Sequence, residues 1–164
     1  MKKLMLITVI ILIAGGVYAQ SGLFHLSYGM ELAQADSTLR SMGFKFWENV
    51  GTMVKYQTDR DPMAKAVVLI VDPADLKVAG WLVRHDAALG PEDNRVVVER
   101  LYNMHGEEGI YDESTQQLVW YLTTSRSVHA MYWSDGSLVV MYYDLEKAGL
   151  FDVQQAQEEP VPQR

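Results

Sequence analysis

Four histidines are the side chains best suited to acid–base chemistry or metal binding, and they stand at positions 25, 85, 105 and 129. No two of them have the close spacing found in a zinc-binding helix or knuckle. The nearest approaches to a ligand cluster are His85-Asp86 and His105-Gly106-Glu107-Glu108. Each pattern is more typical of the end of a strand or helix with solvated charge than of a metal site. We therefore predict no metal site.

The chain offers no recognisable catalytic nucleophile. It has no cysteine, and none of its serines lies in the pattern that exposes a serine at a sharp strand-to-helix turn. No phosphate-binding loop or dinucleotide glycine pattern is present. Asp59 and Asp61 are paired acids, but they flank the turn at Pro62, where such residues occur for conformational reasons. We predict no catalytic residue, no cofactor and a protein that is not an enzyme.

Aromatic residues are frequent on the strands predicted near the C-terminus. If Asp135-Gly136 is a two-residue hairpin loop, Trp133 pairs with Leu138 and Tyr132 with Val139. In the same register His129 faces Tyr142 and Val128 faces Tyr143. Both faces of this ribbon are then apolar, whereas a sheet with one solvated side shows polar residues at alternate positions.

The second apolar face of this ribbon has two explanations. The more common one is that another part of the chain, or a second copy of it, covers the face. The alternative is that the face binds another protein or an apolar ligand, because aromatic residues are enriched in such interfaces. Under that hypothesis the binding residues are the six aromatic residues of these strands: Trp120, Tyr121, Tyr132, Trp133, Tyr142 and Tyr143.

Two helices are expected to support the sheet. Apolar residues recur at steps of three and four between 32 and 42, which is the spacing of one helix face, and Gly43 supplies a stop. A second helix begins at Gly90-Pro91-Glu92-Asp93 and ends at Gly106. The valines at 96–98 favour a strand, but the start and stop signals favour a helix.

The remaining apolar segments have strand character and are separated by turn residues. They form an extended piece at 22–28 and strands at 44–47, 52–58, 65–71, 77–85, 117–123, 127–133 and 137–145. Hairpins and segregated helices indicate an α+β fold, an antiparallel sheet with two helices. A helix followed by a meander occurs twice, which suggests a tandem duplication with halves at 22–86 and 87–153.

The first nineteen residues have the three parts of a secretory signal peptide. Two lysines precede an apolar run at 4–14, and small residues precede Gln20. We predict cleavage between Ala19 and Gln20. Because the run is shorter than the roughly 20 residues of a spanning helix, an uncleaved anchor is the less favoured alternative, and membrane contact is expected only in transit.

Cleavage leaves a single domain at 20–153 and a tail at 154–164. The tail has too few apolar side chains to offset the entropy of ordering, so we predict that it is disordered. The expected location is the periplasm or the extracellular medium. No disulfide is possible without cysteine, so burial must supply the stability of the domain.

The charge of the protein restricts its partners. The full chain has a formal charge of −7, and loss of Lys2 and Lys3 would leave 12 basic and 21 acidic side chains, a charge of −9. Nucleic acid is therefore not an expected partner. An acidic balance can favour basic partners, although its usual consequence is solubility.

Residues 26–32, Leu-Ser-Tyr-Gly-Met-Glu-Leu, and the helix end at 39–44 together resemble a known pattern. They are similar to the opening of beta-lactamase inhibitor protein-like repeats and of small outer-membrane assembly lipoproteins of the SmpA/OmlA type. The matching residues are Tyr28, Gly29, Met30, Leu39 and Gly43.

Three features depart from this pattern. Glu31 stands where those modules usually have serine or threonine, the second half has no Gly-Met, and no acylated cysteine is present. The resemblance implies an antiparallel sheet with a concave face that grips other proteins, and it transfers no binding residue.

These observations predict an exported, non-catalytic binding or inhibitor-like module that contacts another protein through an aromatic sheet face. The alternative is an envelope-assembly or structural accessory protein that self-associates through the same face.

Overall fold

The computed structural model describes residues 21–151. The predicted signal peptide 1–19, its cleavage site between Ala19 and Gln20, and the predicted tail 154–164 lie outside the described residues. Within the described range the chain forms two α-helices, eight β-strands and two short 3-10 helices.

Both predicted helices are present, α1 at Leu32–Ser41 and α2 at Pro91–His105. Gly43 and Gly106 follow them with φ of 92° and 90°, the left-handed region in which glycine carries no steric cost. The valine triplet does not prevent α2, because Val97 is buried against the sheet while Val96 is exposed on the opposite side of the helix. Tertiary packing thus overrides the strand propensity of valine.

The eight strands form one antiparallel sheet in the order β1-β2-β3-β4-β8-β7-β6-β5. Their bounds are Lys45–Val50 (β1), Met53–Gln57 (β2), Ala64–Asp72 (β3), Lys77–His85 (β4), Ile110–Asp112 (β5), Gln117–Tyr121 (β6), Arg126–Tyr132 (β7) and Leu138–Asp144 (β8). Each helix precedes a four-stranded meander, and β4 pairs with β8 to join the two meanders. The predicted α+β class is confirmed.

Two parts of the predicted strand pattern are wrong. The segment expected to be extended at 22–28 contains a 3-10 helix at Leu23–His25, in which Phe24 and His25 have φ of 62° and 57°. The short strand β5 was not predicted, because three residues are too few to show an alternation.

The predicted register of the C-terminal hairpin is also wrong, by one residue. Its loop contains three residues, with the Trp133 amide donating to the Ser137 carbonyl at 3.0 Å and Gly136 at φ 84°. This geometry corresponds to a turn followed by a left-handed glycine in a bulge. Tyr132 therefore faces Leu138, and Val128 faces Tyr142. A slip of one residue exchanges the faces that two strands share.

The helices cover one face of the sheet, where the main core lies. Its largest fully buried side chains are Trp81, Trp120, Tyr56 and Tyr142. We call the opposite side the helix-free face. Part of it is covered by the end of the described chain, where a 3-10 helix at Leu145–Leu150 leads to Phe151, which packs against Met53 and Ile70.

Candidate functional site

The six aromatic residues predicted to bind a partner do not share one surface. Trp120 is 2% exposed and Tyr142 is fully buried, both on the side of the sheet that the helices cover. The Trp120 indole donates to the Gly106 carbonyl at 3.0 Å, and the Tyr142 hydroxyl accepts from the Leu23 amide at 3.0 Å. The expectation that these two residues lie on an exposed face is therefore wrong, because they belong to the core.

The other four aromatic residues are accessible, on two different sides. Tyr132 is 60% exposed and pairs with Leu138, whose side chain packs into the core beneath the helices. Tyr121, Trp133 and Tyr143 lie on the helix-free face, and Tyr121 is 72% exposed. Half of the predicted set thus occupies one continuous side of the sheet.

A small apolar cleft with a volume of about 30 Å³ lies on the helix-free face. Its floor consists of Val68, Leu82 and Met141, on the adjacent strands β3, β4 and β8. Trp133 and Phe151 also line it. Leu82 is 8% exposed, and Val68 and Met141 are partly buried. A partner that covered the cleft would bury their remaining apolar area, which is favourable in free energy.

A polar cluster holds the Trp133 end of the cleft in place. The Arg84 guanidinium lies over the Trp133 ring, 5.8 Å from its centroid, and donates to the Asp135 carboxylate. Asp135 also accepts from the Ser137 hydroxyl and amide. Hydrogen bonds from Ser137, with a further contribution from Arg84, lower the pKa of Asp135 to about 2. Arginine stacked on tryptophan is a frequent arrangement at binding surfaces.

A second cation lies over an aromatic ring at the β1 edge of the sheet. Lys55 contacts the Trp47 ring at 5.5 Å from its centroid and forms an ion pair with Glu48 at 2.7 Å. Trp47 is 46% exposed. Sequence reasoning missed this position, because the ring belongs to a different hairpin from the six residues that it selected.

Ser127, His129 and Gln117 form a hydrogen-bonded chain on the helix-free face. The Ser127 hydroxyl lies 2.8 Å from Nε2 of His129, and Nδ1 of the same ring lies 2.8 Å from the Gln117 amide oxygen. Burial lowers the pKa of His129, so the ring is neutral at pH 7. The Tyr143 ring stands edge-on to the imidazole at 6.1 Å.

This chain has the connectivity of a nucleophile, a base and an orienting group. It lacks the electrostatic features of a catalytic triad in two respects. A neutral amide cannot stabilise an imidazolium as a carboxylate does. In addition β7 is paired on both sides around Ser127, so its backbone amides are engaged in the sheet and do not form an oxyanion hole. The arrangement therefore fits recognition of a polar group better than acyl transfer.

His85 and His105 end β4 and α2, as the sequence predicted, but the expectation that these two rings are solvated is wrong. His85 is 4% exposed. His105 is partly buried, and its Nε2 lies 3.1 Å from the Tyr142 hydroxyl. Burial lowers the pKa of both rings, that of His85 to about 4. For His85 the signal was present in the sequence, because it continues the inward alternation of Trp81 and Val83 along β4.

Between residues 21 and 151 no group of three or more histidine and acidic side chains is placed to hold a metal ion. In the same range no helix has the length and apolar character needed to cross a bilayer.

The fold and surface define an α+β protein with one sheet face covered by helices and one covered only in part, by the end of the described chain. No protein-family model matches the chain, and neither a curated protein nor a solved structure is significantly similar to it. The resemblance to beta-lactamase inhibitor protein-like and SmpA/OmlA-type modules therefore stays a hypothesis that rests on residues 26–44.

Proposed function

We propose that the protein is an exported, non-catalytic module that binds another protein through the helix-free face of its sheet. The observation that carries this proposal is the apolar cleft over Val68, Leu82 and Met141, with Trp133 at its side. The face has an apolar centre, accessible aromatic residues and an arginine, which is the composition of a protein interface.

The polar groups around the cleft support a protein partner over a purely apolar ligand. Arg84 is paired with Asp135 and Lys55 with Glu48, so the cations near the cleft are already neutralised. Ser127, His129 and Gln117 add hydrogen-bonding groups beside Tyr121 and Tyr143. An apolar centre with a polar rim is the usual anatomy of an interface between proteins.

Photo-crosslinking can identify the partner and test the face at once. A photoreactive phenylalanine derivative would replace Tyr121 on the helix-free face or, as the matched control, Tyr132. Both tyrosines are more than half exposed, but they lie on opposite sides of the sheet. We expect one protein of the exported fraction to be crosslinked from position 121 and not from position 132.

The crosslinked protein, once purified, allows a quantitative test. Trp133→Ala should weaken its binding at least about 30-fold, as expected for a tryptophan that anchors an interface, whereas Tyr132→Ala should leave it unchanged. Equal losses in both variants would contradict the proposed face. If position 121 crosslinks only to a second copy of the chain, and sedimentation shows a dimer at nanomolar concentration, self-association is the function of the face instead.

Export has its own test, because the leader lies outside the described residues. We expect protein recovered from outside the cytoplasm to begin at Gln20 on N-terminal sequencing. Recovery of the intact N-terminus in the membrane fraction would contradict a cleaved leader.

A further inference from the structure

A separate cavity lies on the helix-covered side of the protein, away from the helix-free face. It has a volume of about 210 Å³. Its walls come from four parts of the chain: the 3-10 helix at Leu23–His25, the turn before β3 with the first residue of that strand, the end of β4 at His85, and α2. The lining residues are Leu23, Phe24, Asp61, Pro62, Met63, Ala64, His85, Val96, Val97 and Arg100.

His85 lies in the wall of this cavity, and neither ring nitrogen makes a hydrogen bond of normal geometry among the described residues, although the Met63 backbone lies close enough to act on the pKa of the ring. The residue is 4% exposed. A buried polar group without a partner costs about 1–3 kcal/mol, so native proteins rarely keep one without a reason. Because His85 lines the cavity, a ligand bound there can complete the hydrogen bonding of the ring.

The ring is neutral at pH 7 and therefore offers one donor and one acceptor. Burial lowers the pKa of His85 to about 4, although the Met63 backbone and the Asp61 carboxylate oppose this effect. Arg100 lowers it further. The histidine thus contributes hydrogen bonds to this cavity and no charge.

Arg100 supplies a cation at the cavity. Its side chain is exposed and has no ion-pair or hydrogen-bond partner in the described part of the chain. Arg95, five residues earlier on the same helix, is instead paired with Glu92 and Glu99. The acid nearest to the cavity, Asp61, already accepts from the Met63 and Ala64 amides at 2.8 Å each. An unpaired guanidinium is the natural partner of a carboxylate.

The remaining walls of the cavity are apolar and include Leu23, Phe24 and Val97. Phe24 has a φ of 62° and His25 one of 57°. Positive φ at two consecutive non-glycine residues is strained, and such strain is concentrated at sites of function. An engineered apolar cavity of about 150 Å³ binds benzene, so the volume here admits an aromatic ring with one polar substituent.

We propose that this cavity binds a small carboxylic acid with an apolar body. The carboxylate pairs with Arg100 and accepts from the imidazole of His85, and the apolar body lies against Leu23, Phe24 and Val97. The site is independent of the protein-binding face, so either proposal can fail without the other.

Benzoate and its uncharged isostere benzamide test the assignment. NMR titration of the protein, observed at the His85 ring, should show saturable binding of benzoate at least about 10-fold tighter than that of benzamide, because a charge-assisted hydrogen bond is about twice as strong as a neutral one. Arg100→Gln should abolish the preference for benzoate, and the matched control Arg95→Gln should keep it. A preference that survives Arg100→Gln would overturn the proposal.

A second variant separates the cavity from simple ion pairing at the surface. Val96→Trp adds bulk at the cavity wall from a residue that is 51% exposed, so the fold should tolerate it, as thermal unfolding can verify. Affinity for both ligands should then fall about 10-fold or more. Unchanged benzoate binding in Val96→Trp, or shifts that never saturate in the parent protein, would show that no cavity site exists.

Discussion

Trp81 and Tyr142 stack with their ring centroids 4.2 Å apart and their planes inclined by 12°. They are cross-strand partners on β4 and β8, the pair of strands that joins the two meanders. The Tyr142 hydroxyl accepts from the Leu23 amide and lies 3.1 Å from Nε2 of His105. One side chain thus links the sheet, the first 3-10 helix and the end of α2.

Removing the Tyr142 hydroxyl should destabilise the protein without changing its fold. Tyr142→Phe leaves the buried Leu23 amide without an acceptor, so we expect the free energy of unfolding to fall by about 1–3 kcal/mol in urea denaturation. Tyr143→Phe is the matched control. The Tyr143 hydroxyl has no hydrogen bond within residues 21–151, and its loss should cost less than about 0.5 kcal/mol. Equal effects of the two changes would contradict the linking role of Tyr142.

The absence of a side chain at Gly80 leaves room for the Phe151 ring on the helix-free face. A Cβ at this position would stand 2.3 Å from the Tyr142 carbonyl oxygen and 2.5 Å from the Phe151 ring. Gly80→Ala should therefore displace Phe151 and destabilise the protein by about 2 kcal/mol or more, as expected for overpacking. Gly149→Ala, with no atom within 4 Å of its added Cβ, should leave the melting temperature nearly unchanged. A stable Gly80→Ala protein with unaltered Phe151 ring signals in NMR would show that the close packing is not required.

Which of these features follow from the sequence depends on how local their causes are. The two helices were predictable because Pro91, Gly43 and Gly106 act within one turn of each helix end. The hairpin loop was not, since Ser134-Asp135-Gly136-Ser137 suits a two-residue loop as well as a three-residue loop with a left-handed glycine.

Only half of the predicted aromatic residues lie on the helix-free face, because the sequence does not show which side of the sheet the helices cover. Alternation separates Trp120 from Tyr121 and Tyr142 from Tyr143, but it does not say which member of each pair the helices cover. That choice depends on packing between elements that are distant in sequence. The cavity at His85 combines four parts of the chain that are distant in sequence, so no local pattern predicts it.

His85 should make the protein less stable in mild acid. Its pKa is about 4 in the folded protein and about 6.5 in an unfolded chain. Above pH 6.5 neither state binds the proton, and between pH 6.5 and 4 only the unfolded state does. The free energy of unfolding should therefore fall as the pH decreases through this window, by about 3 kcal/mol in total.

The contribution of His85 can be isolated from those of other groups by comparison with His85→Met. Burial also lowers the pKa of His105 and His129, so all three rings contribute to the slope. Urea denaturation at pH 7.5 and 4.5 should show a smaller loss of stability in His85→Met than in the parent protein. Identical losses would mean that the folded protein accommodates a protonated His85.

The neutral amide of Gln117 keeps the Ser127–His129 pair from behaving as an activated nucleophile and base. With the Gln117 oxygen 2.8 Å from Nδ1 of His129, Gln117→Glu would place a negative charge at hydrogen-bond distance from the ring. An adjacent carboxylate favours the imidazolium, so the pKa of His129 should rise by about one unit or more, as measured by NMR of the ring protons.

Gln116→Glu is the control for this change, because it adds the same charge at the neighbouring exposed position. A rise of equal size in both variants would mean that the pKa of His129 responds to net charge and not to the hydrogen bond with Gln117. A rise confined to Gln117→Glu would show that the charge acts through the direct contact with Nδ1 of His129. The parent protein then presents a neutral imidazole beside Tyr143, which suits hydrogen bonding to a partner better than proton abstraction.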